Sequence, residues 1–293
     1  ALDMKASLAM MIYAAAALRD SAIPLAGDLV LTFVVDEEPG GCSPFGTAYL
    51  LEQGLTGRAA IVTEPENTTI TIGHRGGFRF KLTTHGEAAH TGLDAWERGE
   101  RGRNAILDMT RAIAALQDLP IPMDDSPAFP GRRPVFTFPT LIAGGTSINT
   151  VPDTCTAYGD VRLLPGADAA AVERLVRARL DALPGLRYTL EPLLAVPPVA
   201  IAPDHPLVEA LAAHTAEITG QTPARLGCGP WNDGWMFITR GIPAVCGFGP
   251  NGGGMHAPDE YVELDSLLDS TRILARAVVD YLGVAEEQER RKD

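Results

Sequence analysis

The sequence predicts an α/β protein interrupted by an inserted α+β module, and three observations carry that prediction. Near the start, helical and strand-like segments alternate: "SLAMMIYAAAALR", then "DLVLTFVV", then "GTAYLLEQG", then "RAAIVTEP", the order expected of an α/β domain. From about residue 75 apolar and polar residues alternate with period two, the mark of a half-exposed antiparallel strand. A Pro-rich stretch, "AVPPVAIAPDHP", then precedes a return to helix, strand and helix, as a linker back to the first domain would.

Each element has a local reason. Residues Ser7 to Arg19 are rich in alanine and methionine without a breaker, which favours helix. "DLVLTFVV" (Asp28 to Val35) is β-branched and continuously apolar, the composition of a parallel strand buried on both faces. "GTAYLLEQG" reads as a short helix closed by Gly54. "RAAIVTEP" reads as a second buried strand ending at Glu64. Carboxylates at two strand ends would face one crevice, because open α/β sheets bind ligands beyond the carboxyl ends of their strands.

In the middle of the chain "GGFRFKLTTHG" is followed by a helix at Asn104 to Gln117 and a Pro-rich loop from Leu119 to Pro134. Strands "PVFTFPTLI" and "TCTAYGDVRLL", a helix at Ala169 to Ala182 and a strand "LRYTLEPL" complete it. This βαββαβ order is the ferredoxin-like split unit. Helix Leu207 to Thr219, strand "GIPAVCGFG" and helix Ser266 to Leu282 then restore the α/β character, and the tail "EEQERRKD" is expected to fray. The domains expected are 1–74 with 194–293, and an insert at 75–193.

At 293 residues, with 46% apolar and 21% charged residues, the chain has material for two packed domains. Its formal net charge of -13 argues against an electrostatic grip on nucleic acid or an anionic membrane. No stretch reaches the roughly 18 apolar residues of a membrane span. The four cysteines, Cys42, Cys155, Cys228 and Cys246, are far apart with no C-x-x-C pair, which fits a reducing cytoplasm.

Asp36, Glu37 and Glu38 end an apolar run, where adjacent like charges repel and resist desolvation. Asp3, Glu64 and His256 also fall on predicted turns or at a helix head. Carboxylate and imidazole together suit Zn²⁺ or a related divalent ion, which would compensate the clustered charge. Taken singly, Asp3 or Glu64 reads as readily as a helix cap or turn residue, and His256 as a satisfied surface histidine. Glu37 and Glu38 have no common capping role, and the four positions together favour a metal. "GPNGGG" lacks the G-K-[ST] ending of a phosphate loop, and no G-x-S-x-G elbow supports a serine hydrolase.

Seven motifs, "LDMK", "VVDEEPGG", "VTEP", "HGEAAHTG", "GGTSINTVPD", "GDVRLLPG" and "GFGPNGGGMHAPDEYV", run in the order found in a known family. The chain resembles the di-zinc amidohydrolases and metallopeptidases that include acetylornithine deacetylase, succinyl-diaminopimelate desuccinylase, aminoacylase and carboxypeptidase G. The resemblance implies a metallopeptidase-type catalytic domain with a mixed, largely parallel sheet. It implies Asp3 as the carboxylate bridging two metals, Glu38 and His256 as ligands of one, Glu64 as a ligand of the other, and Glu37 as general base. His90 matches a histidine that, from the inserted domain of a partner subunit, stabilises the oxyanion. Asn149 and Arg162 match positions that hold a substrate carboxylate. The alternatives are that His90 is a loop histidine and Arg162 a sheet-surface charge. His85 is read as structural, and Asp233 in "GPWNDGWMF" receives no role.

The resemblance also implies a histidine ligand in an H-x-D motif upstream of Asp3, and the expectation is a longer protein whose preceding segment supplies it. The implied activity is hydrolysis of the amide bond in small N-acyl amino acids or peptide-like substrates with a free carboxylate. The implied cofactor is two divalent ions, zinc first, with cobalt or manganese as alternatives, and the implied assembly is a homodimer through the insert. A carboxypeptidase of the same family, and a non-catalytic relative acting through its association domain, are the rival readings.

Overall fold

The computed structural model describes residues 1–38 and 43–285. Cys42, the "PGG" of the glutamate motif and the tail "EEQERRKD" lie outside the described residues. The chain forms two compact units, one of Ala1–His74, Pro127–Pro130 and Val199–Asp293, the other of Arg75–Ser126 and Gly131–Pro198. The return crossing comes five residues later than the sequence places it. Strand Tyr188–Val196 stays paired until Val196 faces Gly77, so "AVPPVAIAPDHP" begins inside the sheet rather than as a free linker.

In the first unit Thr69–His74 is the middle strand of three, parallel to Ala224–Cys228 and antiparallel to Val199–Ala200. Ala60–Ile61 runs parallel to Ala244–Val245, and the Cys246 N–H donates to the Thr71 carbonyl at 2.7 Å, tying the two pairings together. The sheet is therefore mixed, as expected. Helix Ser7–Asp20 buries Met10, Ala14 and Leu18 at four-residue intervals, one stripe of a 3.6-residue period. Helix Leu264–Leu282 packs against it and against Pro206–Thr219. The last begins with Pro206, whose missing N–H costs nothing there, and ends at Gly220 with φ +73°.

Residues 28–35 depart from expectation. "DLVLTFVV" forms no strand, and Val30, Phe33 and Val35 are 60%, 52% and 66% exposed. A strand exists only where a neighbour satisfies its backbone groups, and among the described residues none pairs with this segment. Its composition states what such a segment can do once paired, and pairing is not a local property. The strand expected over "GIPAVCGFG" likewise shrinks to Ala244–Val245.

The second unit is an antiparallel sheet in the order Val135–Gly144, Thr154–Leu163, Gly76–His85, Tyr188–Val196. Phe78, Phe80 and Leu82 alternate inward from the Gly76–His85 strand, as period two requires. They share a core with Ala105, Met109 and Ala112 of helix Ala105–Ala115, and with Val172, Val176 and Leu180 of helix Ala169–Asp181. Both helices are capped as their sequences announce. Asn104 Oδ1 accepts from the Ile106 and Leu107 amides, and Asp168 Oδ1 from that of Ala171.

Phe80 is fully buried and stacks on Phe78 and Phe138, with centroids 5.6 and 5.4 Å away. It lies over Gly159, its cross-strand partner, where an added Cβ would come within 2.4 Å of the ring. Phe80→Ala should cost about 3–5 kcal/mol and Gly159→Ala about 1–3 kcal/mol in urea unfolding. A cost below about 1 kcal/mol for Phe80→Ala would mean that this ring does not anchor the core.

Candidate active site

Three predicted ligands meet. His256 Nε2 lies 2.8 Å from Asp3 Oδ2 and 3.3 Å from Glu38 Oε2, and one donor atom from each residue falls within 4.8 Å of the others. Asp3 sits in the Leu2–Ala6 turn ahead of the first helix, with φ -108° and ψ 103°, and its amide donates to Glu260 Oε1 at 2.8 Å. His256 occupies the tip of a hairpin whose arms pair Gly252 with Val262 and Gly253 with Tyr261. Gly252 is required for that approach, since a Cβ there would lie 2.2 Å from the Tyr261 carbonyl oxygen.

Two non-glycine residues at this site have left-handed backbones, Asp36 at φ +74° and His256 at φ +58°. Such conformations are costly outside glycine and persist where the surroundings over-determine them. They turn the chain just before Glu37 and Glu38, and at the imidazole itself.

Consecutive Glu37 and Glu38 separate. Glu38 joins the donor group, while Glu37 stays outside it. Burial, then the charges of Asp233, Glu38 and Asp3, push the Glu37 pKa up to about 7, with His256 opposing them. Glu64 is not one of the three converging donors. Burial, then Asp3, Glu37, Glu38 and Asp233, raise it to about 8. The His256 imidazole is raised as well, first by its hydrogen bond to Asp3 and then by Glu38.

In the second unit His90 and Asn149 come together. Ala89–His90 pairs with Thr150–Val151, and His90 Nε2 lies 3.4 Å from Asn149 Nδ2. The Gly92 N–H donates to His90 Nδ1 at 3.0 Å. Arg162 stands between Gly77 and Val135 in the sheet and bridges to Asp160 at 3.0 Å. Sequence reading missed its companions. Arg75 loses proton affinity to burial and then to the charges of Arg132 and Arg162, so three guanidiniums share one end of the sheet. The adjacent "HRGG" and "GRRP" were the available signal. His85 bonds Thr189 Oγ1 at 2.8 Å, a role within the sheet.

Two carboxylates and an imidazole converging beside a separate, proton-avid carboxylate define the class of metal-dependent hydrolases. Comparison with known proteins agrees. The model of peptidase family M20/M25/M40 matches residues 1–280. Succinyl-diaminopimelate desuccinylase of Methylobacterium nodulans is 32% identical over 306 residues, covering 99% of this chain and 74% of that protein. The N-formyl-4-amino-5-aminomethyl-2-methylpyrimidine deformylase of Bacillus subtilis is 26% identical, with 98% and 72% covered. Among solved structures, aminopeptidase PepT from Bacillus cereus gives a TM-score of 0.75 at 22% identity, with 96% and 71% covered, a likeness of fold. The chain belongs to peptidase family M20/M25/M40, and it is a hydrolase of amide bonds from a metal-dependent, generally binuclear family.

The raised carboxylates set a pH dependence. Glu37 and Glu64 hold their protons more tightly folded than at the ordinary glutamate value of 4.5. Their contribution to stability is therefore complete below about pH 4.5 and is lost as pH rises through about 7 to 8. The metal-free protein should melt at progressively lower temperature from pH 5.5 to pH 8.5, and added Zn²⁺ should restore the loss at the upper end, roughly as ligand linkage requires. Calorimetric melts showing the opposite slope would contradict the charge arrangement.

Proposed function

We propose that this chain hydrolyses the amide bond of an N-acyl amino acid or small peptide-like substrate with a free carboxylate. In this reading Asp3, Glu38, Glu64 and His256 are this chain's ligands to two divalent ions, and Glu37 is the general base. The observation that carries it is the convergence of the Asp3, Glu38 and His256 donors beside a Glu37 poised near neutral pH. The residues fit such ions: oxygen and imidazole donors suit zinc, cobalt or manganese, with zinc the first choice, and the unneutralised carboxylates call for positive charge. When bound, the ions polarise the scissile carbonyl and acidify the attacking water.

The chain's own groups supply the rest. Glu37, outside the ligand set, takes the proton of the attacking water and delivers it to the leaving amine. A base titrating near 7 accepts that proton and releases it with little loss either way. His90 is the donor for the oxyanion, where charge appears only in the transition state. Asn149 and Arg162 hold the substrate carboxylate, Arg162 by a two-pronged bond, and the field of Arg75 and Arg132 favours an anionic substrate. The thiols of Cys155, Cys228 and Cys246 are free, which supports a reducing compartment such as the cytoplasm. Among the described residues no helix is long and apolar enough to cross a membrane.

Glu37→Gln should lower kcat by about 10²- to 10⁴-fold on N-acetyl, N-succinyl or N-formyl amino acids while elemental analysis finds the metal content unchanged. Undiminished turnover would remove Glu37 from the base position.

We also propose a homodimer through the second unit. Its sheet ends at strand Val135–Gly144, where Leu141 and Ile142 are 67% and 52% exposed, and an apolar edge of this kind pairs readily with a copy of itself. Ile142→Lys should shift the mass seen by light scattering from dimer to monomer. A monomeric mass for the unaltered chain would end this reading.

A further inference from the structure

A cavity of about 190 Å³ opens in the first unit, between the end of helix Pro206–Thr219, the loop that follows it and the start of helix Leu264–Leu282. Asn67, Thr215, Thr219, Asn251, Ser266 and Asp269 are among its walls. None of the candidate metal ligands lines it, and among its described lining residues none is cationic or aromatic. An apolar void stays dry, whereas one walled by hydroxyls, amides and a carboxylate holds water that a polar ligand can replace. At about 30 Å³ per water it has room for roughly six waters, well below the roughly 300–1,000 Å³ of sites for larger ligands. Such a space suits a small polar molecule.

The bonds its walls already make decide which kind. The Thr215 hydroxyl donates its one proton to the Leu211 carbonyl at 2.7 Å, and the Thr219 hydroxyl donates to the Thr215 carbonyl at 2.7 Å. What these hydroxyls retain for a ligand is lone pairs. Asp269 is half-buried, and its Oδ1 lies 3.4 Å from Arg272 Nη1, a partly exposed pair of little strength that leaves Oδ2 for another donor. The remaining wall is held by its own bonds. Asn67 donates through Nδ2 to Ser266 and Ser270 Oγ at 3.2 and 2.9 Å and through its backbone to Asn251 Oδ1 at 3.1 Å, and the Asn251 amide donates to Ser266 Oγ at 2.7 Å. The lining therefore offers acceptors and one negative charge, with no cation to receive an anion. An ammonium group answers both features, by a charge-assisted bond to the carboxylate and ordinary bonds to the hydroxyls.

We propose that this cavity is a binding site for a small primary ammonium compound bearing hydroxyl groups, its ammonium on Asp269 and its hydroxyls against Thr215, Thr219 and the neighbouring amides. The site is separate from the acidic cluster, and Asn251 connects the two, standing next to the hairpin that carries His256.

Three probes of nearly one shape separate charge from size: 3-aminopropane-1,2-diol, glycerol and glycerate, which at pH 7.5 are cationic, neutral and anionic. The full chain is titrated with each by calorimetry. The aminodiol should bind saturably, one per chain, with glycerol at least about tenfold weaker for want of the charge-assisted bond and glycerate giving no heat of binding. Asp269→Asn should remove the advantage of the aminodiol over glycerol, and Thr219→Leu, which fills the cavity, should abolish both. Should leucine prevent folding, Asp269→Asn decides alone, since it alters a half-buried helix residue without changing its size. Hydrogen exchange locates the site: protection is expected over 215–223 and at Asn251. No saturable binding of the aminodiol, or glycerate binding equally well, would overturn the proposal. So would an affinity unchanged in Asp269→Asn, with protection confined to the acidic cluster, because the amine would then sit among the candidate metal ligands. None of these results bears on the amide-hydrolase reading, whose residues do not line the cavity.

Discussion

The constraint on which the rest of this site depends is the gathering of Asp3, Glu37, Glu38, Glu64 and Asp233 within reach of one another's charge. Hydrogen bonds alone do not resolve it. Asp3 is tied to His256 and Asp233 to Ser43, but an oxygen of Asp233 stays unmet. Burial first, and the neighbouring carboxylates second, push Glu37 up to about 7 and Glu64 up to about 8, so taking up protons is one way to lower this repulsion. A divalent ion lowers it in another way. Protons and a bound metal would therefore compete for one set of oxygens.

Much of the fold was legible because its signals are local. Asn104 and Asp168 announce helix starts, Pro206 and Gly220 bracket a helix, and the alternation from Gly76 to His85 marks its strand. The segment Asp28 to Val35 was misread for a physical reason: an apolar, β-branched run states only that a strand is possible, whereas the ladder depends on residues far away in sequence. The late return crossing has the same origin, since Val196 stays in the sheet through its pairing with Gly77.

The site was legible in its residue types and less so in its grouping. Asp3, Glu38 and His256 meet because the turn, the left-handed Asp36 and the hairpin tip bring one donor each to a common point. Glu64, expected as a ligand of the other ion, is not among the three converging donors, and the neighbouring carboxylates raise its pKa after burial does. Asp233 could not have been singled out, since nothing in "WNDGW" tells that its carboxylate is buried; that follows from Asn232 bonding the Cys246 carbonyl, a contact across 14 positions. The arginines were missed differently. Arg75 and Arg132 precede different strands, and only the antiparallel register brings them to the end of the sheet that holds Arg162.

Asp3 and His256 are 253 positions apart, and Glu38 and Glu64 fall between them in sequence. An ion held by such donors would close long loops in one step, so its binding energy would count toward folding of the first unit. The left-handed backbones at Asp36 and His256 fit this account. Each is unfavourable in isolation, and each places a donor where a shared ion would reward it. The same reasoning separates the two glutamates of the motif. Glu38 is drawn into the donor group and its geometry is set there. Glu37, raised to about 7 by burial and then by the Asp233 charge, stays outside that group, as the proposed role of proton carrier requires.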